Sequence, residues 1–312
     1  MSSVENDDRG RAAPPIGTAA VRAPIGAVLV LMRPPQWVKN LLVFAALLFS
    51  HHLFVAESLV RAIVAFLTFC LLASASYVLN DVRDVENDRR HPVKRSRPLA
   101  AGEVSIPAAL GLAAVLSLAG VALATVLGRE FLGAALAYVA LQVAYSFALK
   151  DVVILDVMCI AAGFVVRAVA GGIAIAVYVS PWLVICSFLL ALFLALGKRR
   201  HEVVLLETRA ASHRASLRDY SPYFLDQMIA VVTASTVVAY AIYTASSEVR
   251  EKLQTEHLYL TLPFVLYGIF RYLYLVHQRE EGGNPTQLLL SDRPLWVNVV
   301  LWIATVVWLL YF

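Results

Sequence analysis

The chain has 312 residues, 60% hydrophobic and 15% charged, with a formal net charge of +4 and a pI near 9.0. Soluble domains run at about 45–50% apolar and about 25% charged, so the composition and a mean hydropathy of +0.72 exclude a water-soluble enzyme and indicate a chain dissolved in lipid. Cys70, Cys159 and Cys186 are odd in number and lie in apolar runs, which excludes a disulfide scaffold, and the basic residues fall between apolar runs rather than along one soluble face, which argues against nucleic acid as a partner.

In chain order, residues 1–24 are polar, with Glu5, Asp7 and Asp8 and no apolar core. They do not make a signal peptide and are expected to be a disordered cytoplasmic tail ahead of a transmembrane domain over 25–312. A helix needs about 20 largely apolar residues to cross the hydrocarbon core. Such runs lie at about 38–56, 59–79, 104–127, 131–149, 152–177, 181–197, 227–245, 258–276 and 294–312, which makes about nine spans. The expected fold is therefore all-α and polytopic. With the tail inside, all but six of the 26 lysines and arginines fall on the cytoplasmic side; Arg61, Arg129, Arg250 and Lys252 lie opposite, and Arg167 and Arg271 within spans. That asymmetry satisfies the positive-inside rule and gathers the long polar loops on one face.

The second span ends in Asn80, Asp81, Asp84 and Asp88. Spacings of three and four put these on one helix face, with Tyr77 seven residues before Asp84. Several hard oxygen ligands at membrane depth suit magnesium, which takes one or two carboxylates plus water and substrate phosphates; a solvated acidic helix end is the plainer alternative. Lys94, Arg95 and Arg97 follow between Pro92 and Pro98. They suit a phosphate clamp, although alone they equally suit an ordinary basic loop.

Asn80-Asp81-x-x-Asp84-x-x-x-Asp88 followed by Arg97-Pro98-Leu99-Ala100-x-Gly102 resembles the first aspartate-rich motif of the UbiA superfamily of intramembrane prenyltransferases. The resemblance covers about 25–312. It implies nine transmembrane helices around a polar cavity open to the cytoplasm, in agreement with the spans counted above. A second Asp-x-x-x-Asp motif after the fourth helix is usual in that family. Here Asp151 and Asp156 are five apart, about 140° around a helix, and Lys150 stands beside them. Asp156 and Arg167 are eleven apart and share a face, so either an ion pair between them or a polar cavity would settle the mid-span arginine.

Arg33-Pro34-Pro35-Gln36-Trp37-Val38-Lys39-Asn40, Tyr145 to Lys150, and Lys198-Arg199-Arg200-His201-Glu202 together resemble a phosphoribosyltransferase branch of the superfamily, active in cell-wall arabinan synthesis. Trp37 and Lys39 alone could be an interfacial anchor, and Lys198 to Arg200 a stop-transfer cluster. The resemblance implies a plasma-membrane enzyme with phosphoribosyl diphosphate as donor, a decaprenyl-like polyprenyl phosphate as acceptor, and magnesium on Asn80, Asp81, Asp84 and Asp88. Asp84, Asp81 and Lys150 would serve the reacting centre. Lys39, Tyr77, Asn80, Asp88, Lys94, Arg95, Arg97, Tyr145, Asp156, Arg167, Lys198 and Arg199 would line the substrates. Two rivals stand beside this reading: prenyl transfer to an aromatic acceptor, and a transporter. Against the transporter, charge is concentrated at one face and no internal repeat is visible. Association of copies of the chain is left open. Gly171-Gly172 is expected to be a close helix contact, and His51 and His52 are expected to face away from the site.

Overall fold

A computed structural model describes residues 25–90, 94–207, 217, 219–279 and 282–312. The expected tail at 1–24, residues 91–93 of the basic loop, and Arg209, Arg214 and Arg218 lie outside the described residues.

Every regular element among the described residues is helical. The α-helices are α1 (Ile25–Met32), α2 (Ala45–Leu48), α3 (Ala56–Arg83), α4 (Val85–Arg90), α5 (Ile106–Val126), α6 (Arg129–Phe147) and α7 (Leu155–Ala174). They continue as α8 (Pro181–Glu207), α9 (Pro222–Ala245), α10 (Ser247–Leu253), α11 (Leu262–Gln278), α12 (Pro285–Ser291) and α13 (Arg293–Tyr311). Helices satisfy their own backbone groups, as a bilayer demands. Eight helices of the described residues are long and apolar enough to span one, counting the short 3-10 turn at Leu258–Thr261 with α11.

The first of the nine expected spans is not a continuous helix. Arg33 adopts left-handed φ 53° and ψ 56°, ending α1. Pro34 and Pro35, which carry no backbone N–H, then open a 3-10 helix over Pro34–Phe44, and only the four residues of α2 are α-helical before the chain turns at Ser50 and His51.

The bundle closes through small residues. Buried positions of α7 include Ala161, Gly163, Ala168, Ala170, Gly171, Gly172 and Ala174, while large apolar side chains such as Leu118, Val231 and Phe270 face outward. This is the pattern of helices that pack closely in lipid. A Cβ at Gly171 would lie 2.0 Å from the Val43 carbonyl oxygen, so the 3-10 helix rests directly on α7, as expected for that glycine pair. One core packs Phe69 of α3 against Phe131 and Tyr138 of α6, edge to face. A second fills the space between α8, α9 and α11.

Arg271, the second arginine within an expected span, is paired at the start of the neighbouring helix α13. Its Nη2 and Nε donate to the two Asp292 oxygens at 2.8 and 3.2 Å, and Asp292 Oδ1 also caps α13 by accepting from the Leu295 N–H at 2.8 Å.

Candidate active site

The site forms where α3 runs out. Helix α3 ends at Arg83 and Asp84 leaves helical geometry (φ −93°, ψ 6°). The Asp84 N–H still donates to Asn80 O at 2.9 Å and the Asp88 N–H to Asp84 O at 2.8 Å. The i to i−4 bonding thus bridges the break, and Asn80, Asp84 and Asp88 keep the four-residue spacing of a helix face.

The four polar residues divide into two pairs. Asp81 and Asp88 have side chains only 5% exposed. Arg33 Nη2 donates to Asp81 Oδ1 at 2.5 Å, and Arg97 Nη1 is shared between Asp81 Oδ1 at 3.0 Å and Asp88 Oδ2 at 2.6 Å. Asp84, by contrast, is 39% exposed along its side chain, and its ion partner, Lys150 Nζ, stands 3.7 Å away, beyond hydrogen-bonding distance. Asn80 is also half-buried. The face available to a cation is therefore that of Asn80 and Asp84, and Asp81 and Asp88 neutralise arginines. No group of three or more His, Cys, Asp or Glu side chains poised for a metal occurs among the described residues.

The basic loop is shaped by its glycine. The Glu103 N–H donates to Pro98 O at 2.9 Å and the Gly102 N–H to Leu99 O at 3.2 Å, with Gly102 at φ +79°. This is the Schellman pattern, which needs a left-handed residue at that position. It buries Leu99 and turns Arg97 back onto the stripe. Lys94 stands nearby: partial desolvation pulls its ammonium below the usual lysine range, Arg97 adds to the shift, and Asp88, Asp84 and Glu202 oppose it. Arg95 is exposed.

Opposite the stripe, Asp156 is fully buried, and both its oxygens are taken within the protein. Arg199 Nε donates to Oδ2 at 2.6 Å and Tyr220 OH to Oδ1 at 2.8 Å. Arg199, 1% exposed, also donates to Glu202 and, at 3.2 Å, to Tyr145 OH. Tyr220 OH in turn accepts from the N–H of Ile154 at 2.7 Å, holding that residue at φ 69°, where β-branched side chains rarely sit. Asp156 and Arg199, both among the expected substrate contacts, thus tie the first turn of α7 to α8. The ion pair between Asp156 and Arg167 is absent as well. Helical spacing places them on one face, but α8 supplies a nearer cation, and Arg167 donates instead to Asn40 Oδ1, Gly163 O and Tyr138 OH at 2.7, 2.8 and 2.8 Å.

Lys39 lies on the 3-10 helix. No hydrogen-bond or ion-pair partner of Lys39 occurs among the described residues, and its charged neighbours are Lys198, Arg167 and Arg33. Lys198 Nζ is 3.5 Å from Glu202 Oε1, and the Arg33 guanidinium sits 5.1 Å over the ring of Tyr77. Trp37 Nε1 donates to Ser74 Oγ at 3.0 Å, an interhelical contact rather than a free interfacial anchor. His51 and His52 bond backbone oxygens of Leu253 and Ser50 at the other end of α3. Arg33, Asn40, Tyr138, Glu202 and Tyr220 were not among the expected site residues, although Arg33, Asn40 and Glu202 stand inside motifs whose neighbours were.

The model of the UbiA prenyltransferase family matches residues 41–291. Decaprenyl-phosphate phosphoribosyltransferase of Corynebacterium glutamicum is 36% identical over 291 residues, 90% of this chain and 85% of that protein. The protein of the same name from Mycolicibacterium smegmatis is 34% identical over 92% of this chain and 93% of its own length. Among solved structures, a UbiA homologue from Archaeoglobus fulgidus bound to GPP and Mg2+ shares the fold with a TM-score of 0.69 at 21% identity, covering 92% of this chain and 100% of that one. With the family model spanning most of the chain and relatives aligned along nearly all of it, this protein is a multi-pass membrane transferase of the UbiA prenyltransferase family.

Proposed function

We propose that the chain transfers 5-phosphoribose from phosphoribosyl diphosphate to a polyprenyl monophosphate of decaprenyl type, releasing diphosphate on the cytoplasmic side of the plasma membrane. The observation that carries this reading is the fate of the second acidic set. Asp156 is locked by Arg199 and Tyr220, Asp151 is exposed, and Lys150 stands at Asp84 instead. One cation-binding face with lysines around it suits one diphosphate and a separate lipid phosphate. Prenyl transfer to an aromatic acceptor, with two acidic motifs, suits it less. The names of the relatives agree.

The residues present fit magnesium in the manner that ion prefers, with one carboxylate, one amide oxygen and the remaining positions left to water and phosphate. Asn80 and Asp84 would hold it, and when bound it would supply charge neutralisation to the departing diphosphate. Arg33 and Arg97, held by Asp81 and Asp88, line the same mouth with Lys94 and Lys150 and balance the donor's phosphates. Lys39 receives the acceptor's phosphate. A lipid phosphate is anionic at neutral pH and needs no strong base. One of its oxygens forms the bond to the anomeric carbon as the bond from that carbon to the diphosphate oxygen breaks. The protein's part is to bring two anions together in line, by positioning and fixed positive charge. The product would be a precursor for cell-wall arabinan.

Purified protein in nanodiscs, offered phosphoribosyl diphosphate and polyprenyl phosphate, is expected to release diphosphate only when both are present and magnesium is supplied. Consumption of a prenyl diphosphate with an aromatic acceptor, and none of phosphoribosyl diphosphate, would establish the rival.

A further inference from the structure

The segment that carries Lys39 is a 3-10 helix of 11 residues, Pro34–Phe44, whereas runs beyond about 3–4 residues are uncommon. Two contacts with α7 explain its form. Asn40, 1% exposed, accepts from Arg167 Nε at 2.7 Å. Val43 lies on Gly171, where a Cβ would come within 2.0 Å of the Val43 carbonyl oxygen. Asn40 and Val43 are three residues apart; Arg167 and Gly171 are four apart. Three 3-10 steps of about 2.0 Å and four α steps of about 1.5 Å both advance about 6 Å. The two helices run in step only while the first is 3-10. As an α-helix it would advance about 4.5 Å over the same three residues, and one of the two contacts would be lost.

Arg167 is committed to this arrangement. It is 4% exposed, its other two nitrogens donate to Gly163 O and Tyr138 OH, and its guanidinium lies 4.6 Å over the Tyr138 ring. A cation at membrane depth is costly, and no carboxylate accepts from Arg167 among the described residues. Lys39, one residue from Asn40, points among cations with no partner of its own there. Desolvation and three neighbouring cations disfavour the ammonium there, so an anion brought from outside is what would hold the lysine charged.

We propose that Arg167 is a positioning residue: through Asn40 it holds the 3-10 helix in step with α7 and so fixes Lys39 as the anchor for the acceptor's phosphomonoester. The assignment of that ligand rests on the functional reading above.

The test compares wild type, Lys39→Ala, Asn40→Ala, Arg167→Lys and the Lys39→Ala/Arg167→Lys double variant in nanodiscs. Binding of farnesyl phosphate and of phosphoribosyl diphosphate is measured separately. Lys keeps the charge of Arg167 but cannot span three acceptors. Lys39→Ala is expected to weaken farnesyl phosphate binding by about tenfold or more, the size of a charge-assisted hydrogen bond. Asn40→Ala and Arg167→Lys should weaken it too, with donor affinity unchanged, and the double variant should bind no worse than Lys39→Ala alone. Should Asn40→Ala not fold, the cycle between Arg167 and Lys39 decides. Additive losses in that cycle would overturn the proposal by making Arg167 a contact in its own right. Wild-type affinity in Arg167→Lys, or an equal loss of donor binding, would overturn it as well. Wild type that binds farnesyl phosphate yet never consumes phosphoribosyl diphosphate would refute the functional reading and leave the positioning claim standing.

Discussion

At the scale of single residues, the acidic stripe is a division of labour. Asp84 and Asn80 stay partly exposed, whereas Asp81 and Asp88 pair with Arg33 and Arg97. Asp84→Ala should therefore abolish transfer while the protein inserts and purifies as wild type; retained turnover would remove Asp84 from the reacting centre. Asp156→Ala should behave differently. It leaves Arg199 with Glu202 as its carboxylate partner but removes the acceptor of two buried hydrogen bonds, from Arg199 and from Tyr220. Losing a charge-assisted hydrogen bond costs about 1.5–3 kcal/mol, so thermal unfolding in detergent should come at a lower temperature; an unchanged Tm with a raised donor KM would assign Asp156 to the substrate contacts. Asp292 supplies a test by pH. The hydrogen bond from Arg271, offset in part by desolvation and reinforced by the Leu295 N–H, holds its carboxyl below the usual aspartate range. A depressed carboxyl stabilises above its unfolded pKa and loses that contribution as pH falls through its folded one. The stability gap between wild type and Asp292→Asn should thus be open at neutral pH and close below about pH 4; a gap independent of pH would assign it to packing alone.

At the scale of elements, the 3-10 helix on α7 is the unusual feature. Gly171→Ala places a methyl against the Val43 backbone, where nothing flexible can give way, and overpacking of that kind costs about 1–3 kcal/mol. A lowered Tm is expected, with the loss absent from Gly133→Ala, where nothing lies within 4 Å of the added atom. The helices themselves and the stripe were legible in the chain, because a period of 3.6 residues converts spacing directly into a face and the hydrocarbon core demands length. What could not be read was which helix lies opposite. Asp156 and Arg167 share a face of α7, yet Asp156 bonds Arg199 on α8 and Arg167 bonds Asn40 on the 3-10 helix. Arg271 bonds Asp292, 21 residues on. The first span is broken for a local reason: Arg33-Pro34-Pro35 reads as a polar flank, but its left-handed turn and missing donors make the segment a short α-helix, a 3-10 helix and a four-residue α-helix in place of one continuous helix.

At the scale of the molecule, the scarce charge is concentrated rather than spread. The ends of α3, α4 and α8 and the turn at Lys150 carry both signs at one face of an otherwise apolar bundle. Placing that face in the cytoplasm predicts that a cysteine introduced at exposed Arg95 reacts with a membrane-impermeant maleimide only in inverted vesicles; labelling in intact cells would reverse the orientation. The same concentration underlies the claim that one mouth joins a soluble diphosphate donor to a lipid acceptor. The most direct test of that claim is the mass of the lipid product. After incubation with phosphoribosyl diphosphate, magnesium and polyprenyl phosphate, the lipid should gain one phosphoribosyl group with wild type and none with Asp84→Ala. A polyprenyl phosphate that keeps its mass, while a prenyl chain appears on an aromatic acceptor, would contradict the account.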